Sequence, residues 1–381
     1  MDPSTIADLK EGVRRYVRER LVPLEEEVAE TDTIPDAVRR EFAGLGLYGM
    51  SIPEEYGGLG LSLAAEAELV MELGWTSPAF RSLIGTNVGI GSLGILIDGT
   101  EAQKQAYLPR LAAGELVASF CLTEPESGSD AASLRTRAIR DGDRYVINGT
   151  KRFITNAPTA GIFTVMARTD PSASKSGGIS AFIVDSALPG IAVAKPYRKM
   201  GQKGAHVADV HFDDVAVPAD CIIGGREGQG FKTAMKVLDR GRIHISALCV
   251  GVGRRLIDEA LRYAQERRQF DRAIVEFQLV QAMLADSQTD LLAAEALARS
   301  AAARYDSGEP ITMEAAACKY FCSEMVGRIA DRAVQIHGGS GYIADFAVER
   351  FYRDVRIFRL YEGTSQILQL VIAREMQKQA G

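Results

Sequence analysis

Hydrophobic residues recur at three- and four-residue spacings in the first third of the chain, from Ile6 to about Leu116. Examples are LAAEAELVMELGW (63–75) and EAQKQAYLPRLAAGE (101–115). This spacing places apolar side chains on one face of a helix. Segments rich in Gly and Pro, such as SIPEEYGGLGLS (51–62), divide the helices from one another. The pattern therefore predicts an N-terminal α-helical domain over residues 1–117.

The pattern changes after Val117 to short β-branched and aromatic runs separated by turn residues. Examples are DGDRYVINGTKRFITNA (141–157), GGISAFIVD (177–185) and HVADVHFDDVAVP (206–218). Runs of this kind are typical of strands. We expect a middle β domain, a barrel or sandwich, over residues 118–229.

From about Gly230 onward the chain is rich in Ala and Leu and amphipathic. Three long segments, 231–270, 276–305 and 312–338, predict antiparallel helices. We expect a C-terminal four-helix bundle over residues 230–381. A helical, then β, then helical order differs from the alternating strands and helices of a doubly wound fold. The predicted fold class is mainly α with a central β domain.

Composition narrows the function classes. The 381 residues carry a formal charge of −6 and no long basic run, so a nucleic-acid partner is not expected. No apolar stretch approaches the roughly 20 residues of a membrane span. The N-terminus resembles neither a signal nor a transit peptide, and five scattered cysteines suit a reducing compartment. We expect a bacterial cytoplasmic protein or, as the less favoured alternative, a mature protein of an organellar matrix.

Several features point to no chemistry of their own. GIGSLG (89–94) fits the dinucleotide-binding pattern G-x-G-x-x-G, but no convincing strand precedes it. The four histidines lack metal-ligand spacing, and Cys318 and Cys322 have no partner pair. We predict no metal site and assign these histidines and the two cysteines to core or surface packing.

Four segments carry candidate chemistry. FCLTEPESGSDAASLRTRA (120–138) joins the helical and β regions, and NGTKRFITNA (148–157) places an aromatic residue two positions before a threonine. An aromatic face and a fixed hydroxyl suit a planar heterocycle. The third is ERRQFDRAIVEFQ (266–278), and the fourth is AVQIHGGSGY (333–342), whose paired glycines allow close backbone approach to a phosphate or ring. For either segment a helix terminus with its cap is a competing interpretation.

In this order, and with RDVRIFRLYEGTSQIL (353–368) last, the segments resemble the acyl-CoA dehydrogenase family over essentially the whole chain. The resemblance implies FAD as cofactor and an acyl-CoA as substrate. It also implies a homotetramer whose flavin sites cross a subunit boundary, and electron-transferring flavoprotein as electron acceptor. The chain departs from the family pattern at Asp271, where glycine is usual, at GAHV (204–207) and at Glu126.

Carried over position by position, the resemblance implies three groups of FAD contacts. Those to the flavin ring and pyrophosphate are Phe120, Leu122, Thr123, Ser129, Phe153 and Thr155. Those toward the FAD of a neighbouring subunit are Arg267, Phe270, Gln278, Gln335 and Gly339. Those to the adenosine part are Thr364 and Gln366. For the acyl-CoA it implies Ser129, Arg242, Tyr361 and Gly363.

Glu362 is the candidate catalytic base. Removal of the weakly acidic α-hydrogen of a thioester requires a positioned base, and burial would raise the pKa of a carboxyl toward the working pH. An isolated glutamate near a helix start would ordinarily be a surface residue; the surrounding resemblance favours the catalytic interpretation. In some members the base precedes the arginine that corresponds to Arg242, but that position is Gly241 here.

Arg81, in SPAFRSLIG (77–85), raises the question of substrate. A lone arginine on an amphipathic helix is usually at the surface. FRS, however, resembles a segment of glutaryl-CoA dehydrogenases in which the arginine holds the distal carboxylate of the substrate. We therefore predict oxidation of a short acyl-CoA with an anionic far end to a trans-2-enoyl-CoA. Open alternatives are a general short- or medium-chain dehydrogenase, a desulfinase-like lyase and a catalytically silent scaffold.

Overall fold

The computed structural model of the protein describes residues 2–380. Within residues 2–117 the chain forms seven α-helices joined by short turns. They are α1 (Pro3–Tyr16), α2 (Glu25–Thr31), α3 (Asp36–Gly44), α4 (Leu63–Leu73), α5 (Pro78–Gly85), α6 (Leu93–Asp98) and α7 (Glu101–Ala112). A π-helical turn (Val17–Leu21) and a 3₁₀ turn (Val22–Leu24) continue α1. GIGSLG runs into α6, and the first strand begins only at Ala118, so a strand–turn–helix dinucleotide site is absent from this part of the described chain.

Side-chain caps fix the position at which α4 begins. Ser62 Oγ accepts the Ala65 amide at 3.2 Å at the start of α4. The carboxylate of Asp306, far along the chain, accepts the Leu63 and Ala64 amides at 2.8 Å each. Together they satisfy donors that a helix start leaves unpaired. The start of α4 is thereby fixed to the C-terminal region.

The middle of the chain forms one curled, seven-stranded mixed sheet. Its strands are β1 (Ala118–Cys121), β2 (Arg137–Asp141), β3 (Arg144–Thr155), β4 (Ile162–Arg168), β5 (Ile179–Asp185), β6 (Ile191–Val193) and β7 (Val207–Pro218). Their order is β1-β4-β2-β3-β7-β6, with β5 on the other edge of β4. One edge of β4 pairs in parallel with β1 along Ile162–Val165 and then with β2 at Arg168. Register shifts in β3 near Gly149 and between Lys151 and Ile154 add bends.

The C-terminal region is helical apart from a small hairpin. It contains α8 (Gly230–Glu266), β8 (Arg268–Gln269), β9 (Arg272–Ala273), α9 (Gln278–Asp306), α10 (Thr312–His337), α11 (Ala347–Val355) and α12 (Ser365–Ala380). The predicted first helix ran to Phe270, but α8 ends at Glu266. Phe270 (φ 51°) and Asp271 (φ 62°) form the hairpin turn, which requires positive φ. Asp271 thus adopts the conformation for which glycine is the usual residue.

Helix α8 is the central helix, and glycines let α4 cross it closely. A Cβ on Gly251 would lie 2.2 Å from the Met71 carbonyl oxygen, and one on Gly74 would lie 2.6 Å from the Leu248 carbonyl oxygen. Side chains at either position would force the helices apart. The close crossing brings polar residues of α4 within reach of α8.

These elements confirm the predicted fold class: a helical N-terminal region, a β middle region and a C-terminal bundle. The boundaries at 117/118 and 229/230 remain predictions. None of the helices within residues 2–380 is both long and apolar enough to cross a bilayer. In the same residues, no group of three or more His, Cys, Asp or Glu side chains is arranged to hold a metal ion.

Candidate active site

The segment between the 3₁₀ turn Arg356–Arg359 and α12 carries Glu362 on a strained turn. Glu362 has φ 53° and Gly363 has φ 101°. A left-handed conformation costs a residue with a side chain about 1 kcal/mol. Two cations from the bundle hold the turn: Arg242 Nε donates to the Glu362 carbonyl oxygen at 3.3 Å, and Lys319 Nζ donates to that of Gly363 at 2.7 Å. We call Leu360–Thr364 the Glu362 turn.

The Glu362 carboxyl lies in a desolvated space. Its Oε2 is buried and has no hydrogen-bond partner among the described residues. A Cβ on Gly241 would lie 2.6 Å from this oxygen, so the absence of a side chain at 241 makes room for the carboxyl. Burial raises the pKa of Glu362, against the opposing charges of Arg81, Lys319 and Arg242. A carboxyl with a buried, unpartnered oxygen and a raised pKa is a candidate for proton transfer.

Two of the three surrounding cations are held by polar partners in the bundle. Arg242 is buried and pairs with Asp239 at 2.7 Å. Lys319 lies fully buried in α10, where burial lowers its pKa to about 8 although Glu362 acts in the opposite direction. Lys319 therefore holds the Glu362 turn and adds a positive charge close to the carboxyl.

The third cation, Arg81, is buried on α5 with 8% of its surface exposed. The surface interpretation of this residue is therefore wrong. Its Nε donates to Nδ1 of His244 at 3.1 Å, and its NH2 group contacts the same ring nitrogen. Within residues 2–380 the Arg81 guanidinium forms no ion pair with a carboxylate. A buried guanidinium is thus held by an imidazole.

The two segments predicted to contact the flavin ring are joined directly. The Arg152 amide donates to the Thr123 carbonyl oxygen at 2.8 Å, and Ser119 Oγ donates to that of Thr155 at 2.7 Å. Buried Lys151 donates to the Leu122 carbonyl oxygen at 3.2 Å and pairs with Glu124 at 2.7 Å. These bonds fix the loop after β1, which carries Leu122 and Thr123, against β3.

Phe153 presents an open aromatic face beside this loop. It occupies the second bulge of β3 with φ 59°, and 59% of its surface is exposed. Asp209 accepts its amide at 3.3 Å, and Tyr197 packs against it with ring centroids 5.4 Å apart. A bulge can turn a side chain out of the sheet for function. An exposed ring fixed beside backbone polar groups fits a planar cofactor such as a flavin.

The five residues predicted to serve a neighbouring subunit's FAD gather at one end of the bundle. The ends of α8 and α10 meet there, where Tyr263 stacks on His337 with ring centroids 4.2 Å apart, and α9 begins just after the hairpin that follows α8. Each of the five is exposed: Arg267, Phe270, Gln278, Gln335 and Gly339. Gly338 ends α10 with φ 58°, so the helix-cap interpretation of this glycine pair also holds.

The remaining predicted contacts are spread over the surroundings of the Glu362 turn and the β1 loop. Phe120 is buried in β1, whereas Ser129 is exposed in the loop that follows. Thr364 Oγ1 accepts the Ile367 amide at 3.2 Å at the start of α12, and Gln366 is exposed on its first turn. Tyr361 packs against Phe358 with centroids 5.9 Å apart.

Sequence reasoning missed Lys319, His244 and Glu66. Lys319 lies in AAACKYFCS, where its helical neighbours are small or apolar, and Glu66 lies in LAAEAELV. His244 follows Arg240 by four residues on α8 and was assigned to packing. An ionisable residue on the apolar face of a helix was the available signal in each case.

Three consecutive parts of the chain match the domains of one enzyme family: residues 4–115 its N-terminal domain, 119–215 its middle domain and 228–377 its C-terminal domain, each described as that of acyl-CoA dehydrogenase. The chain belongs to the acyl-CoA dehydrogenase family. It is therefore an oxidoreductase that acts on the CH–CH bond of acyl-CoA thioesters and uses FAD.

Individual proteins agree with this assignment. The chain is 39% identical over 370 residues to a 3-(aryl)acrylate reductase of Clostridium sporogenes, covering 97% of this chain and 98% of that protein. The butyryl-CoA dehydrogenase of Megasphaera elsdenii superposes with a TM-score of 0.95 at 33% identity, over 99% of this chain and 100% of that chain. A glutaryl-coenzyme A dehydrogenase in its glutaryl-CoA complex superposes with a TM-score of 0.94 at 32% identity, over 99% and 96%.

Proposed function

We propose that the protein dehydrogenates a short acyl-CoA whose far end carries an anion, such as glutaryl-CoA. The observation that carries this proposal is the burial of Arg81 against an imidazole instead of a carboxylate. A buried guanidinium that forms no direct ion pair is costly. An anionic substrate group reaching Arg81 would supply the missing partner and be selected over plain acyl chains.

The charges around Glu362 support the same conclusion. Arg242 is paired with Asp239, and Arg240 is paired with Glu66. Arg81 and Lys319 form no ion pair within residues 2–380 and both act on Glu362, while Glu324 has a smaller effect on Lys319. Protonation of Glu362 removes its negative charge and increases the excess of positive charge around it. An additional anion in the pocket would therefore be stabilised.

The chemical step follows from Glu362. Its carboxylate would take the α-hydrogen of the thioester as a proton, and the charges of Arg81, Lys319 and Arg242 oppose the rise in pKa that burial causes. The Glu362 backbone N–H is our candidate donor to the thioester carbonyl oxygen, where negative charge develops. Bound FAD supplies the hydride acceptor for the β-hydrogen, so that the product is a trans-2-enoyl-CoA.

Other residues would bind and orient the flavin and the acyl-CoA. Phe153, Thr155 and the β1 loop residues Leu122 and Thr123 would hold the flavin ring against the sheet. A second group would line the acyl-CoA path: Ser129, Arg242, Tyr361 and Gly363. Gly363 has φ 101°, and a Cβ there would lie 3.3 Å from Leu368 Cδ2, so glycine suits this position of the turn.

The similarity to a 3-(aryl)acrylate reductase favours one alternative, reduction of an enoyl group. In that direction the protonated Glu362 carboxyl would give its proton to Cα, and reduced FAD, when bound, would supply the hydride to Cβ; burial favours the protonated form by raising the pKa of Glu362. The desulfinase-like lyase and the silent scaffold are less well supported, because the candidate base and both flavin segments are present.

The proposed function is tested by anaerobic reduction of the flavin with a panel of acyl-CoAs. We expect glutaryl-CoA to bleach the flavin absorbance faster than butyryl-, hexanoyl- or octanoyl-CoA, with an enoyl-CoA as product. Preference for a plain acyl-CoA would replace the proposal with a general short- or medium-chain dehydrogenase. Turnover without any bleaching would favour a non-redox reaction.

We also propose a homotetramer that passes its electrons to electron-transferring flavoprotein in a bacterial cytoplasm. The exposed cluster at the bundle end, with Arg267 and Gln335, would then complete the FAD site of another subunit. Cofactor retention would be linked to assembly by mass action. We expect a yellow tetramer by light scattering and absorbance. A stable monomer with full FAD occupancy would contradict this arrangement.

A further inference from the structure

Four ionisable side chains form a continuous buried chain from α4 through α8 to α5. Glu66, fully buried on α4, pairs with Arg240 of α8. Arg240 NH1 also donates to the Val88 carbonyl oxygen at 3.1 Å. Although burial alone would raise it, the pKa of Glu66 is held down at about 2 by Arg240 and His244. Glu66 is therefore an anion whose charge is balanced by Arg240.

His244 continues the chain from Glu66 to Arg81. Its Nε2 lies 3.0 Å from Glu66 Oε1, off the line of a good hydrogen bond, and its Nδ1 faces Arg81 Nε at 3.1 Å. Arginine has donors only, so Nδ1 must be the acceptor and the ring proton is on Nε2. Burial, with the nearby Arg81 charge, lowers the pKa of His244 to about 4. The imidazole is consequently neutral near neutral pH.

A neutral acceptor holds Arg81 differently from a carboxylate. It fixes the direction of the guanidinium through one hydrogen bond, yet it leaves the positive charge available. A carboxylate at this position would orient the guanidinium and neutralise it as well.

We infer that His244, which lies against Glu66, positions Arg81 and so determines the selectivity of the enzyme for acyl-CoAs with an anionic far end. This inference rests on the proposed function. It adds that the selectivity requires a neutral acceptor on α8 in addition to Arg81. His244 is a positioning residue, because it acts on the substrate through Arg81.

The test measures the specificity ratio, kcat/KM for glutaryl-CoA divided by kcat/KM for butyryl-CoA, in the purified FAD-loaded enzyme. Loss of a hydrogen bond to a charged group should lower this ratio about 10- to 100-fold in His244→Leu, mainly through KM for glutaryl-CoA. His244→Gln should keep most of the ratio, because its amide can accept from Arg81 and donate to Glu66. His206→Leu is the matched control, since it removes a histidine that bonds elsewhere, to the Asp32 carbonyl oxygen.

A double variant separates this inference from the proposed function. In an Arg81→Met background, His244→Leu should change the ratio less than about twofold, because no guanidinium remains to be positioned. If Arg81→Met lowers the specificity ratio while His244→Leu leaves it at the parental value, His244 has no positioning role and the proposed function stands. If Arg81→Met keeps the parental ratio, the proposed function and this inference both fail. Equal losses in His244→Leu and His244→Gln would also overturn the inference, because they would indicate general disruption.

Discussion

Replacement of Glu362 by glutamine is expected to lower the rate of flavin reduction about 10²- to 10⁴-fold with the best substrate. The amide is nearly isosteric with the carboxyl but cannot accept the α-proton. The buried Oε2 has no hydrogen-bond partner that the substitution would break. The backbone bonds from Arg242 and Lys319 to the Glu362 turn do not involve the side chain. We therefore expect the fold and the bound FAD to be retained.

The measurement is single-turnover bleaching in a stopped-flow instrument, with FAD content and thermal unfolding determined on the same sample. Glu324→Gln is a suitable control, because Glu324 contacts Ser365 and Arg359 in the same part of the bundle without touching the Glu362 carboxyl. Parental rates in Glu362→Gln would show that another group is the base.

Arg81→Met should produce a loss confined to the acidic substrate. Truncating one partner of a buried, hydrogen-bonded charge pair costs about 2–5 kcal/mol, which corresponds to roughly 30- to 5,000-fold in kcat/KM for glutaryl-CoA. Butyryl-CoA brings no far anion and should be processed by the variant at least as well as by the parent. The measurement is kcat/KM for both substrates in both proteins.

Arg299→Met provides the comparison for loss of an arginine elsewhere, since Arg299 is half exposed and pairs with Glu68 and Glu295 at the surface. The same moderate decline with both substrates in Arg81→Met would point to lost packing. A parental preference for butyryl-CoA that persists in the variant would remove Arg81 from substrate recognition.

Much of the architecture could be predicted from the sequence, because helices and strands are encoded by the spacing of residues that are close together in the chain. The change from helical spacing to β-branched runs near residue 117 follows the physical periods of helices and strands. The ordered motifs then indicated the family, and with it Glu362 and the FAD segments as candidates. Burial of Arg81 was raised as one of two possibilities, and the structure decides between them.

The charge network was not accessible because its members are far apart in the sequence. Glu66 and Arg240 are separated by 174 positions, and Arg81 and His244 by 163. The Glu66–Arg240 contact joins α4 to α8, whose close crossing at Gly74 and Gly251 is not encoded by any periodicity. The left-handed conformation of Glu362 was equally hidden, since it depends on cations contributed by two other helices.

The two cations that hold the Glu362 turn belong to different helices, Arg242 to α8 and Lys319 to α10. The orientation of the carboxyl is therefore mechanically coupled to the seam between these helices. A displacement of α10 along α8 by a fraction of an ångström would pull the two carbonyls unequally and rotate the turn. Mutations that repack the interface between α8 and α10, even far from any substrate atom, would then change the rate of proton removal while the protein remained folded and retained FAD.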